Sequence, residues 1–141
     1  MARCRPVSTP RPLDRDLLLS VSHFVERGAA LGGSDCFVSV TPSGREVAFG
    51  FYPLYTGLHP CEELGDMVAD HSWWAVGLIL HGRGHFLDQP DQPAEPIVST
   101  YFIERGGAEV SLLRRGKRLE EMPGPAIGRI PDLCRSMLGL T

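Results

Sequence analysis

The chain contains no asparagine, and Lys117 is the only lysine among its 14 basic residues. Arginine, glycine, proline and leucine stand in their place. That bias reads as GC-rich coding, a bacterial gene of a high-GC genome or its phage, and says nothing about activity. Long hydrophobic runs are also missing. The longest, Trp73–Leu80, is far short of the ~20 residues a membrane-crossing helix needs. Leu17-Leu18-Leu19 is preceded by Asp14 and Asp16 and interrupted by His23 and Glu26, and no small-residue cleavage pattern follows; it does not read as a signal peptide.

Cysteine is scarce and widely spaced, at Cys4, Cys36, Cys61 and Cys134. There is no C-x-x-C and no disulfide framework, so the expected setting is a reducing cytoplasm, with Cys36 and Cys134 as small core residues. Basic excess is absent too. The net charge of −3 argues against nucleic acid as a partner. No phosphate-cradling glycine loop, nucleophile–base signature or other family motif stands in the chain.

What the chain does have is turns. Glycine (16) and proline (12) fill a fifth of the 141 residues, which excludes a long-helix bundle and calls for many reversals. With 43% hydrophobic and 22% charged residues, the composition is that of one globular domain with an adequate core. Residues 1–12 read as a flexible Pro/Arg-rich tail and 13–141 as a single α+β domain.

A helix is expected from an Asp14 N-cap to about Glu26, with Leu17, Leu18, Val21, Phe24 and Val25 forming one apolar stripe and Gly28 ending it. Cys36–Thr41 and Arg45–Tyr52 read as a hairpin around a Pro42-Ser43-Gly44 loop, pairing Phe37 with Phe49. Pro60 opens a short middle helix burying Cys61, Leu64, Met67 and Val68 and weakened by Gly65. Trp73–Leu80, apolar on both faces, reads as the central strand. The chain is expected to reverse through Gly82-Arg83-Gly84. Ile97–Glu104 and Glu109–Arg114 form a further hairpin, pairing Ile103 with Val110. A last short helix begins at Pro131 and Asp132 and ends before Gly139. No β-α-β repeat appears, so the expected fold is an antiparallel sheet of about five strands built from hairpins and packed by an N-terminal, a short middle and a short C-terminal helix. Its element order is similar to that of roadblock- and profilin-like folds, whose middle helix is longer.

Five groups of residues carry chemical possibilities. A three-residue hairpin loop would set His81 opposite His85, close enough to share a zinc or nickel ion with a third ligand from the His59–His71 stretch. Such a site would suit a small metal-dependent hydrolase. His59-Pro60-Cys61 would place a thiol in the first turn of a helix beside a possible base. Asp66 and Asp70 are spaced to share a helix face. Arg114, Arg115 and Arg118 form a basic strand end suited to contact with an anionic partner, and Trp73 would anchor an interface if exposed. The leading expectation is a small non-catalytic binding or regulatory domain without a cofactor, acting on a protein partner, with a homodimer through its sheet as one form of that partnership. The hydrolase built on His81 and His85 is the alternative.

Overall fold

The computed structural model describes residues 12–30, 34–55, 59–65, 67, 69–84, 91 and 93–140. Among these residues, three helices pack on a six-stranded antiparallel sheet. Helix α1 (Arg15–Ala30) is followed by strands β1 (Cys36–Ser43) and β2 (Glu46–Pro53) and the single turn α2 (Pro60–Glu63). Strands β3 (Ala75–Gly84), β4 (Glu95–Glu104), β5 (Glu109–Arg115) and β6 (Arg118–Glu121) and helix α3 (Arg129–Met137) complete the fold. The strand order is β2-β1-β3-β4-β5-β6. The strand expected at the centre is there, between β1 and β4, and Trp73–Ile79 is buried throughout.

Alternation along each strand splits the core into two layers. Leu17, Leu18, Val21 and Val25 of α1 meet Val38, Val40, Ala75, Ile79, Phe102, Val110 and Leu112 on one face. On the other, Leu64, Cys134 and Leu138 meet Phe37, Val76, Leu78, Tyr101 and Ile103. Gly77 is required by this stacking: a Cβ there would lie 2.4 Å from the Tyr101 carbonyl oxygen and 2.5 Å from the Phe102 ring.

Asp14 caps α1, its Oδ1 accepting the Leu17 N–H at 3.0 Å. The helix does not stop at Gly28. That residue lacks the positive φ of a helix terminator, and the helix continues to Ala30, with Ala29 still packed against the core.

The first hairpin closes through Gly44-Arg45, with Ser43 opposite Glu46. Gly44 has φ +63° while Arg45 stays at negative φ, as a two-residue loop with glycine first requires. Pro42 remains in β1, pointing its missing N–H toward the side where β3 pairs only as far as Val40–Ala75. Phe37 therefore faces Tyr52, not Phe49. The second expected hairpin register is off by one residue: Ile103 faces Glu109. Here the buried Glu104 carboxylate accepts the Gly106 and Ala108 amides at 2.8 and 2.7 Å, fixing a shorter loop.

The reversal expected at Gly82–Gly84 does not occur. Strand β3 runs through it, pairing Gly82 with Ile97 and Gly84 with Glu95, and the His81 amide donates to Asp35 Oδ1 at 2.7 Å. Strand β6 is an addition, folding the expected strand end of Arg114–Arg118 into a further hairpin. Tail residues 1–11 lie outside the described residues. No helix among the described residues is long and apolar enough to cross a membrane.

Candidate functional site

Among the described residues, His59, His71 and His81 do not gather as part of a three-ligand group. His81 sits opposite Val98, so the hairpin that would have faced it toward His85 is not formed; His85 itself lies outside the described residues. The His81 ring is held between two acceptors, with Nδ1 3.1 Å from Asp35 Oδ1 and Nε2 3.4 Å from the Ala29 carbonyl oxygen. His59 caps α2, its Nδ1 accepting the Cys61 N–H at 3.1 Å. It serves the backbone of Cys61, and a one-turn helix supplies little dipole. His71 is exposed and lends its carbonyl oxygen to Arg105. Among the described residues, no three His, Cys, Asp or Glu side chains gather as a metal site would need. Asp66 lies outside them; the Asp70 carboxylate accepts the Ser72 amide at 2.8 Å, which holds its pKa below the ordinary range.

Trp73 is buried, in tilted contact with Phe37 and Tyr52, so it cannot anchor an external partner. Arg114 is committed inward: its guanidinium clamps the fully buried Glu26 through Nε and Nη2, the latter at 3.0 Å. Arg115 lies 3.9 Å from Glu120. Arg118 is exposed and 3.6 Å from the same carboxylate. The expected basic patch is thus largely neutralised by its own neighbours.

The notable concavity lies elsewhere. Helix α1 crosses the face of the sheet over β3, β4 and β5, and the described residues cover the neighbouring half of that face, over β1 and β2, only in part. The result is a groove of about 840 Å³. Cys36, Ile79, Phe51 and Pro53 belong to its sheet side, and Phe24, Val25, Gly28 and Ala29 to its helix side, with Arg27, Ser34 and Asp35 as its polar members. Its volume falls in the range of sites that hold a small molecule or a few inserted side chains. Large apolar groups stand open beside it: Phe24 is 58% and Phe51 55% exposed. Phe49 lies between them, stacked on Phe24 at 5.5 Å and on Phe51 at 5.8 Å between ring centroids.

The thiol of the groove is not activated. Burial raises the pKa of the Cys36 thiol, against a partial opposing hydrogen bond from the Tyr52 backbone, and the Cys36 Sγ is 3.3 Å from the Phe37 carbonyl oxygen. A neutral thiol is a poor nucleophile. The arrangement favours retention of apolar surface, with Asp35 and Arg27 offering one charge of each sign.

Sequence reasoning assigned Phe24 to the core stripe and so missed this site. The usable signal was the alternation Val47-Phe49-Phe51, which puts three apolar side chains on one face of one strand. Comparison with protein-family models, curated proteins and solved structures finds no match.

Proposed function

We propose that this protein is a non-catalytic binding domain of the cytoplasm that regulates a protein partner by holding an apolar segment of it in the groove between α1 and the β1–β2 hairpin. One observation carries the reading: a largely apolar groove of about 840 Å³ beside exposed Phe24 and Phe51. Exposed aromatic groups next to an apolar recess are the usual anchors of protein association. Asp35 and Arg27 would orient the bound segment through its polar groups, because charges at a rim select geometry more than they add affinity.

Gly28 provides the test. A Cβ added there meets nothing within 4 Å, so Gly28→Met fills the groove from the helix side while sparing the core. The reporter is anilinonaphthalene sulfonate, an amphipathic dye whose fluorescence rises in apolar surroundings. The native protein should bind it saturably, and Gly28→Met should weaken binding about tenfold or more with an unfolding midpoint that is not lowered, since methionine is the better helix former. Displacement by short peptides carrying Leu and Phe, and not by their Ser and Gly counterparts, supports a protein partner. Equal dye binding by the variant would remove the groove from consideration. Displacement by small hydrophobic molecules alone would make this a ligand-binding protein instead.

A further inference from the structure

The two edges of the sheet differ in a way that bears on assembly. Strand β6 is the short edge, four residues long, and three of them are Arg118, Glu120 and Glu121. Charges and brevity are the usual means by which an edge strand avoids pairing with another chain. Strand β2 has neither. It is eight residues long, EVAFGFYP, with Glu46 at one end and no charge from Val47 to Pro53. Among the described residues, no strand lies beyond it.

Its hydrogen-bonding directions follow from the hairpin. Ser43 and Glu46 flank a two-residue loop and form the pair that exchanges bonds across it. Even-numbered residues of β2 therefore direct their N–H and C=O groups toward β1, and odd-numbered ones direct theirs outward. Leu54, continuing the even series, donates its N–H back to Asp35 O at 2.8 Å. The outward donors and acceptors belong to Val47, Phe49 and Phe51, whose side chains are the apolar ones on the α1 face.

We propose that β2 pairs antiparallel with β2 of a second copy of this chain, forming a two-fold symmetric dimer with one continuous sheet. Directly opposed residues in an antiparallel pair share a face, so the register can change only in steps that keep odd opposite odd. The register that uses every outward N–H centres on Phe49. It sets Phe49 against the second copy's Phe49 and Val47 against its Phe51. On the opposite face, Ala48 meets Gly50, small residues that allow close approach. Phe51 and the nearby Phe24, both more than half exposed in the single chain, would be drawn toward a shared aromatic seam. A two-fold pairing of this kind closes on itself, and the charged β6 edge leaves it no route to a filament.

This inference uses Phe24 and Phe51, which also stand beside the groove, but it is read out by self-association and not by dye binding, so each proposal can fail without the other. It is tested by sedimentation equilibrium of the full chain across a concentration series. The native protein should reach twice the chain mass. Phe51→Lys, at an exposed position, should weaken self-association roughly a hundredfold while keeping the far-ultraviolet circular dichroism of the native fold. Adding Val47→Glu should restore the dimer, since the proposed register sets positions 47 and 51 of opposite copies side by side. Should that pair fold poorly, Ala48→Cys alone provides a second reading through a short bifunctional maleimide, with cross-linking beyond that of the native chain expected only in the associated form. A native protein that stays monomeric to high concentration, a dimer indifferent to Phe51→Lys, or open-ended assembly would each overturn the proposal.

Discussion

Glu26 is a charged residue with no solvent exposure, inside a helix whose neighbours are leucine and valine. Leu18, Ser22 and Glu26 follow one another at four-residue spacing and all are fully buried, so they form a single inward row of α1. Ser22 satisfies itself by donating to the Leu18 carbonyl at 2.7 Å. Glu26 relies on Arg114, whose side chain is only about a quarter exposed. Removing one member of a buried pair leaves an uncompensated charge, whereas removing both replaces an expensive desolvation with apolar packing. Arg114→Met should therefore destabilise the fold by about 3 kcal/mol, and Glu26→Leu combined with Arg114→Met should recover most or all of it. Urea unfolding of the single and double variants measures this; a double variant no more stable than Arg114→Met would mean that the ion pair itself provides net stability, and losses that simply add would mean that the two side chains are not coupled. The inward row was readable from spacing alone. Its partner was not, because Arg114 is 88 positions away and only the strand pairing brings it under α1.

Among the elements, α3 depends most on a single carboxylate. Glu109 of β5 accepts the Tyr101 hydroxyl at 2.8 Å and the Ala126 amide at 3.1 Å and forms an ion pair with Arg135 of α3. Burial alone would raise its pKa. The three donors outweigh that and hold it below the ordinary glutamate value of 4.5. A depressed native pKa means the unfolded chain takes up the proton first as pH falls. The stabilisation is complete above about pH 4.5 to 5 and is lost as pH falls through the native value. Glu109→Gln should lower stability at neutral pH by about 1–3 kcal/mol. It should also flatten the acid limb of the stability profile, read as urea midpoints at successive pH values. An acid limb as steep as the native one would exclude Glu109 as its source. The same element scale marks where the sequence was legible. Helices and strands were recoverable from periodicity, capping and turn residues, as Asp14 and Trp73–Ile79 illustrate. Registers were not, because they turned on local competitions: Gly44-Arg45 against Pro42-Ser43-Gly44, and the Glu104 side chain shortening the loop to β5. The first error, three residues long, put Phe49 against Phe37 and concealed the aromatic edge on which the groove and the proposed dimer both draw.

For the molecule as a whole, the decisive feature is that one sheet serves two cores. Adjacent residues of β3 enter opposite layers, Val76 and Leu78 beneath α3 and Ala75 and Ile79 beneath α1. Neither layer can lose the sheet and remain folded, so the two should unfold together despite sharing few side-chain contacts. The chain carries its own reporters for this. Trp73 lies in the α3 layer, and Trp74 lies in the α1 layer with its Nε1 donating to Glu104 Oε2 at 3.2 Å. Trp73→Phe leaves an indole reporting on one layer and Trp74→Phe leaves one reporting on the other. Within each variant, the fluorescence transition in urea should coincide with that followed by circular dichroism. Leu78→Ala, in the α3 layer only, should then destabilise by about 2–5 kcal/mol and shift the Trp74 signal as far as the Trp73 signal. If the α1 layer kept its midpoint while the α3 layer lost stability, the sheet would not couple the two cores, and the fold would consist of two separable layers.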